Sequence, residues 1–303
     1  MRLDYKIAWI DDEIEHFVAS RDVERVEVFI RELGFIPYIN IFNNGQSLDG
    51  LIDQCDLIIS DFNIEEGRNG DDVIKEIREK DIFTEVLFYT SRQDNKNLIA
   101  QKLLGFDRIS FHSGRRHLLD KIESLIKLSV KRLLDLNATR GLITSETSEL
   151  DVIIHEITMH LIDHLKISKD EIEGIVGGYV EKKLKSEPDY MIQLYEEKGF
   201  EDFFLRMRAV KKWEIFRKFL KKIKDDKVVN SFLLINKTYQ NEVIEVRNRF
   251  AHSKAIEENG SLILLGFGNE SNYEFDEGSC VNIRKRLMIH REEFEKLKDH
   301  LKV

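Results

Sequence analysis

From Tyr5 to Leu136 the sequence alternates short apolar runs with amphipathic stretches, and this alternation limits the fold more than any other feature. A run of four or five apolar residues is too short for a buried helix and suits a strand covered on both faces. Amphipathic segments between such runs suit crossover helices, so the pattern specifies a parallel sheet wrapped by helices. Five strands are predicted, at residues 6–10, 37–41, 56–60, 85–89 and 108–111, with helices near 14–33, 46–53, 71–80, 93–104 and 115–136. The last helix has apolar residues at Leu118, Ile122, Leu125, Ile126, Leu133 and Leu136. It either covers the sheet or, at ~33 Å for its full length, projects from the domain and carries a dimer contact.

In an open parallel sheet, chemistry collects at the carboxyl ends of the strands. Those ends carry Asp11 and Asp12 after the first strand, Asp61 after the third, Thr90 and Ser91 after the fourth, and His112 after the fifth. Converging carboxylates repel one another, and a divalent cation with oxygen ligands, Mg2+ above all, relieves the repulsion.

Residues 5 to about 125 resemble a response-regulator receiver domain. The resemblance rests on the acidic pair Asp11-Asp12, on Asp61 closing the run from Asp56, and on Thr90 closing Val86-Leu87-Phe88-Tyr89. It implies a flavodoxin-like fold, phosphorylation of Asp61 by a sensor histidine kinase, Mg2+ held by Asp11, Asp12 and Asp61, and Thr90 as the phosphoryl-sensing hydroxyl. The family has a lysine just after the fifth strand, and here His112 stands in its place. An imidazole is a conditional cation, with an ordinary pKa of about 6.5. Phosphorylation would then be weak, pH-sensitive or absent, or the domain is a docking module. Ile109 stands at the usual aromatic switch position.

Residues 137–148, with Gly141 and several hydroxyl residues, read as a linker between a receiver domain at 1–136 and an output domain at 149–303. In that second part the periodicity is helical. Helices are expected at 149–166, 169–185 (opened by the capping box Ser168-Lys169-Asp170-Glu171), 188–198 (with Pro188 in its first turn and a stop at Gly199), 201–226 and 228–251. In the last of these, Phe232, Ile235, Tyr239, Val243, Val246 and Phe250 form one apolar stripe. A hairpin around Gly268-Asn269-Glu270 and a closing helix at 291–301 complete an expected helical bundle with a small β appendage.

The stretch Arg247-Asn248-Arg249-Phe250-Ala251-His252 combines a fixed cation, an amide and an imidazole, a set suited to phosphodiester cleavage without metal. It resembles the Rx4H motif of the HEPN superfamily, helical-bundle domains that include many metal-independent ribonucleases. The resemblance implies a homodimer in which Arg247, Asn248 and His252 act on RNA. Along an ideal helix Arg247 and His252 are about 140° apart, so a helix end or a second subunit has to unite them. The alternative is that both cap the helix or pair with acids such as Glu242.

Residues 206–227 hold ten Lys+Arg against three Asp+Glu. Arg208, Lys211, Lys212, Lys218, Lys221 and Lys222 are its candidate RNA-backbone contacts. The strip is otherwise a solvated face or a dock for the acidic first half, where residues 1–136 carry 19 Lys+Arg against 26 Asp+Glu. His155, in His155-Glu156-Ile157-Thr158-Met159-His160, somewhat resembles a histidine-kinase H-box, which would make the chain a phosphorelay adaptor; ordinary helix histidines, including His160 and His164, are the plainer account.

Two distant cysteines, Cys55 and Cys280, fit no metal-ligand spacing and read as ordinary buried or half-buried thiols. With no secretory core near the start and no run of ~18 apolar residues, the expectation is a cytoplasmic protein without a membrane span. Function is therefore expected to be that of a response regulator with a ribonuclease output, or of a non-catalytic regulator whose helical part binds RNA or a protein.

Overall fold

The computed structural model describes residues 3–43, 54–65, 68–79, 82–90, 101, 105–183, 189–223, 225–258, 261–266 and 271–303. The chain divides into two compact units, one of residues 2–139 and 277–285, the other of residues 140–276 and 286–303.

The first unit opens with Asp4–Ile10 (β1), followed by helices Glu15–Ala19 (α1) and Asp22–Glu32 (α2) and strand Ile36–Phe42 (β2). Leu57–Asp61 (β3) comes next, then a two-stranded ladder of Asn63–Glu65 (β4) and Arg68–Asn69 (β5) and the helix Gly70–Glu79 (α3). Glu85–Thr90 (β6), Ile109–Ser113 (β7) and the helix Leu118–Val130 (α4) complete the run. The five long strands form one parallel sheet in the order β2-β1-β3-β6-β7. The inner strands are buried almost throughout, because helices cover both faces and only apolar runs survive there. Ala8, Ile58, Val86 and Phe88 meet Ile74 and Ile77 of α3 in one core.

Three expectations for this unit need correction. The helix expected at 14–33 is two helices, because Arg21 adopts the left-handed conformation (φ 61°) between them. His112 lies inside β7, paired with Tyr89, rather than after the strand. The helix expected at 115–136 does not project: α4 buries Leu118, Ile122, Leu125, Ile126 and Val130, and the Ser129 hydroxyl bonds the Tyr5 hydroxyl of β1 at 2.6 Å. A 3-10 turn at Lys131–Leu134 then ends it. The helix expected at 46–53, Ser91, and all but residue 101 of the helix at 93–104 lie outside the described residues.

The stretch expected as a linker, 137–148, is helical. It belongs to Leu136–His164 (α5), whose interior hydroxyls bond back to carbonyls one turn earlier: Thr144 to Arg140 at 2.9 Å, Thr147 to Ile143 at 2.8 Å and Ser148 to Thr144 at 2.9 Å. The hydroxyls of Thr144, Thr147 and Ser148 thus stay within the helix, while Leu142 and Ile143 are buried.

In the second unit α5 is followed by Lys169–Lys183 (α6), Asp189–Leu205 (α7, kinked at Gly199 with φ 84°), Ala209–Leu220 (α8) and Lys227–Ile235 (α9). Pro188 lies outside the described residues. The capping box is formed: the Glu171 amide donates to Ser168 Oγ at 3.3 Å and the Ser168 amide to Glu171 Oε2 at 3.1 Å. Two expected helices differ in form. The stretch 201–226 is broken near Met207, and 228–251 is α9, a 3-10 turn Asn236–Thr238, a π turn Gln240–Ile244 and the helix Glu245–His252 (α10). The tightened and widened turns rotate the apolar stripe, which leaves Ile235 40% exposed while Phe232, Tyr239, Val243 and Phe250 remain buried.

Ala255–Glu258 (β8), Ser261–Leu264 (β9) and Tyr273–Phe275 (β10) form a three-stranded antiparallel sheet, one strand more than the expected hairpin, whose turn Gly268-Asn269-Glu270 lies outside the described residues. The final helix is Glu277–Leu301 (α11), longer than expected. Aromatic packing holds the helices together, with Trp213 4.5 Å from Tyr239 and Phe232 4.9 Å from Phe294 between ring centroids. No helix among the described residues is long and apolar enough to cross a membrane.

Candidate functional site

Parallel pairing brings the ends of β1 and β3 side by side, and with them Asp11, Asp12 and Asp61. Each offers a carboxylate oxygen within 4.8 Å of the others. Asp11 is buried, Asp61 half-buried and Asp12 exposed. Two oxygens on opposite sides of a Mg2+ at ~2.1 Å are ~4.2 Å apart, so this all-oxygen set fits a hard divalent cation after a small closure.

Asp11 is the anchor. Its Oδ1 accepts the Glu13 amide at 2.6 Å, and its Oδ2 accepts the Tyr89 hydroxyl, which itself accepts Trp9 Nε1–H at 3.1 Å. Each carboxylate oxygen keeps a further acceptor site, so these bonds orient Asp11 without preventing metal ligation. Burial pushes the Asp11 carboxyl above its ordinary pKa; the Tyr89 hydrogen bond, the Glu13 amide and the Arg115 charge oppose that rise. Burial and the Asp11 charge also raise the Tyr89 phenol, which stays a donor.

Thr90 ends β6 fully buried, and its carbonyl accepts the Gly114 amide at 2.7 Å. The His112 ring bonds the Arg116 carbonyl at 2.9 Å. The cation that acts on Asp11 is instead Arg115, which pairs with Glu13 at 2.8 Å and lies 5.3 Å over the Phe17 ring. Neither Tyr89 nor Arg115 was legible as part of this rim. Tyr89 occupies a core position of its strand, and Arg115 follows a strand whose end the sequence places too early.

In the second unit Arg247 is half-buried on α10, while Asn248 and His252 are exposed. Arg247 lines a cleft of about 160 Å3 with Arg140, Ile143, Thr144, Phe250, Ala251 and Ser253. His252 is not among the lining residues, as the 140° offset requires. Glu242 pairs with neither motif residue. It accepts Thr238 Oγ1 at 2.9 Å and lies 3.4 Å from Arg286 and 3.0 Å from His290 Nε2. His290 is buried, and its Nδ1 donates to Asn236 Oδ1 at 2.7 Å, the amide orientation being fixed by Asn236 Nδ2 donating to the Phe232 carbonyl.

The basic strip is not a uniform face. Lys212 is 7% exposed and pairs with Asp151 at 3.6 Å, which removes it as a backbone contact. Lys222 pairs with Glu171 at 2.9 Å, and Lys218 donates to the Ile175 carbonyl at 3.1 Å. Arg208 and Lys221 are exposed, and Lys211 is half-buried. His155 is half-buried, stacked on Phe204 at 6.2 Å and 3.4 Å from Glu201, while His160 stacks on His164 at 5.5 Å.

No protein family matches the chain, and no curated protein matches it. Among solved structures, the chain is similar to the signal receiver domain of a protein from Vibrio parahaemolyticus described as a Luxo repressor, with 21% identity, 43% of this chain and 92% of that chain covered, and a TM-score of 0.31. A yeast Spc42 trimeric coiled-coil segment fused to another protein of solved structure gives 14% identity, 42% and 78% coverage, and the same TM-score. Likenesses of this strength carry no functional argument. The fold class stands on the strand order itself, a doubly wound parallel sheet of flavodoxin-like order.

Proposed function

We propose that the chain is a response regulator: its first unit accepts a phosphoryl group on Asp61 from a histidine kinase and so controls the helical unit. The observation that carries this reading is the convergence of Asp11, Asp12 and Asp61 at the carboxyl edge of the sheet. The Asp61 carboxylate attacks phosphorus, the nitrogen–phosphorus bond of the kinase phosphohistidine breaks, and the departing imidazole nitrogen takes up a proton. Bound Mg2+ supplies neutralisation of the charge on the phosphoryl oxygens. Asp11 and Asp12 orient that charge sink, with Asp11 held by Tyr89 and the Glu13 amide. The buried Thr90 marks where a new phosphate would be sensed.

Beryllofluoride with Mg2+ tests the switch. A change in hydrodynamic size or in output activity is expected in wild type and not in Asp61→Ala, and an identical response in the variant excludes Asp61 as the acceptor.

For the helical unit the reading is cleavage of RNA, supported by Arg247 lining a cleft that holds no carboxylate among the described residues. The 2′-hydroxyl gives its proton to His252 and attacks the adjacent phosphorus. The bond to the 5′-oxygen then breaks, and that oxygen takes a proton, leaving a 2′,3′-cyclic phosphate. Arg247 stabilises the phosphorane charge and Asn248 orients the strand. Because His252 lies off the cleft, this chemistry needs a second copy of the chain to present it. Incubation of total RNA in EDTA with wild type and His252→Ala decides the matter: absence of cleavage by both leaves the helical unit as a non-catalytic binding module.

A further inference from the structure

Arg140 stands at the start of the stretch whose composition reads as a linker, yet the folded chain places it beside Arg247. Both guanidiniums line the same cleft, one from α5 and one from α10, and among the described residues no Asp or Glu lines it with them. Among the described residues neither has an ion-pair partner. Arg140 is held in place by one bond, from Nη2 to the Ser253 carbonyl at 2.8 Å, and its Nε is buried with no hydrogen-bond acceptor. Two cations facing one small space repel each other, and one anion bound between them relieves that repulsion.

We propose that Arg140 and Arg247 clamp one phosphodiester of single-stranded RNA in this cleft. The inference rests on the reading of the helical unit as acting on RNA, and it adds Arg140 as a binding residue outside the Arg247–His252 motif. The shape favours phosphate over carboxylate. A carboxylate has two oxygens and is saturated by a single fork, whereas the oxygens of a tetrahedral phosphodiester diverge and can face two forks at once. The cleft's 160 Å3 far exceeds the ~10–15 Å3 that a single water needs, which leaves room for a phosphate group with its linking oxygens. Ala251 is exposed at the cleft, with Ile143 and Phe250 buried beneath its floor. Phe250 is itself fixed edge-on by Tyr273 and Phe275, with ring centroids 5.9 and 5.8 Å away.

The probe is a labelled 2′-O-methyl RNA oligonucleotide, which has no 2′-hydroxyl and is not cleaved, followed by fluorescence anisotropy with the full chain across a salt series. Arg140→Gln is expected to raise Kd about tenfold and to reduce the slope of log Kd against log salt by about 0.7, the value for one phosphate contact on a single strand. Thr144→Glu places a carboxylate in the cleft from an exposed helix position and is expected to weaken binding at least as much with an unchanged Tm, so a folding defect in Arg140→Gln does not decide the result. Unchanged Kd and slope in Thr144→Glu, or no binding by wild type, overturns the clamp. So does equal displacement of the oligonucleotide by inorganic phosphate or by poly-glutamate at matched charge, which would assign the cleft to a free anion or to an acidic protein. Cleavage by wild type with Arg140→Gln and Thr144→Glu binding normally sinks the clamp alone. Lost binding in both variants, with no cleavage of all-RNA by wild type, sinks the nuclease reading alone.

Discussion

His290 gives the second unit a pH dependence. Burial is the larger effect and holds its pKa below the ordinary ~6.5, while the hydrogen bond and charge of Glu242 oppose that shift and Arg286 adds to it. A histidine depressed in this way lets the unfolded chain bind the proton first. Its contribution is therefore fully present above about pH 6.5 and is lost as the pH falls through that value toward the folded pKa. His290→Gln is expected to lower stability by about 2–3 kcal/mol at neutral pH, because Asn236, fixed by the Phe232 carbonyl, loses its buried donor. Urea melts of wild type and variant should converge as the pH is lowered to about 5, and a constant gap would show that His290 titrates alike in both states. The same region explains why Glu242 is not available to the exposed His252: its carboxylate is already engaged by Thr238 and Arg286.

At the scale of elements, what the sequence made legible depended on whether the determining interaction was local. The five strands fall within two residues of their predicted ends, because a strand covered on both faces has to be a continuous apolar run. The acidic rim was legible for the same reason, since strand ends fix where Asp11 and Asp61 point. The capping box is equally local, and Ser168→Ala is expected to cost about 1 kcal/mol, read as a lower urea midpoint with an unchanged m-value. An unchanged midpoint would mean that α6 draws its start from packing instead. Tertiary determinants were not legible. The hydroxyls of Thr144, Thr147 and Ser148 look like loop chemistry until they bond back within α5, and the stripe through Ile235 looks continuous until a π turn shifts it. Arg140 and Arg247 are more than a hundred positions apart, and no local period relates them.

At the scale of the molecule, the units do not follow the order of the chain. Residues 277–285, the start of α11, belong with residues 2–139. Arg284 explains both that assignment and why the helix was expected to start only at 291, since a charged residue interrupts its apolar pattern. Yet Arg284 is fully buried, with its guanidinium carbon 3.8 Å from the Phe35 ring centroid. Gly34 makes the seat possible: it has φ 79°, and a Cβ there would lie 2.6 Å from Arg284 Cβ and 3.0 Å from the Val281 carbonyl. Thr139 adds a 2.9 Å contact to the Cys280 thiol. A fragment cut at Thr139 therefore uncovers Phe35 and should lose about 2 kcal/mol or more, the scale of burying one large apolar side chain. Denaturant melts of residues 1–139 are expected to show this loss, and adding a peptide of residues 277–285 in trans should restore part of it. Equal stability of the fragment with and without the segment would mean that residues 2–139 form a complete folding unit and that the seat at Gly34 contributes nothing measurable to it.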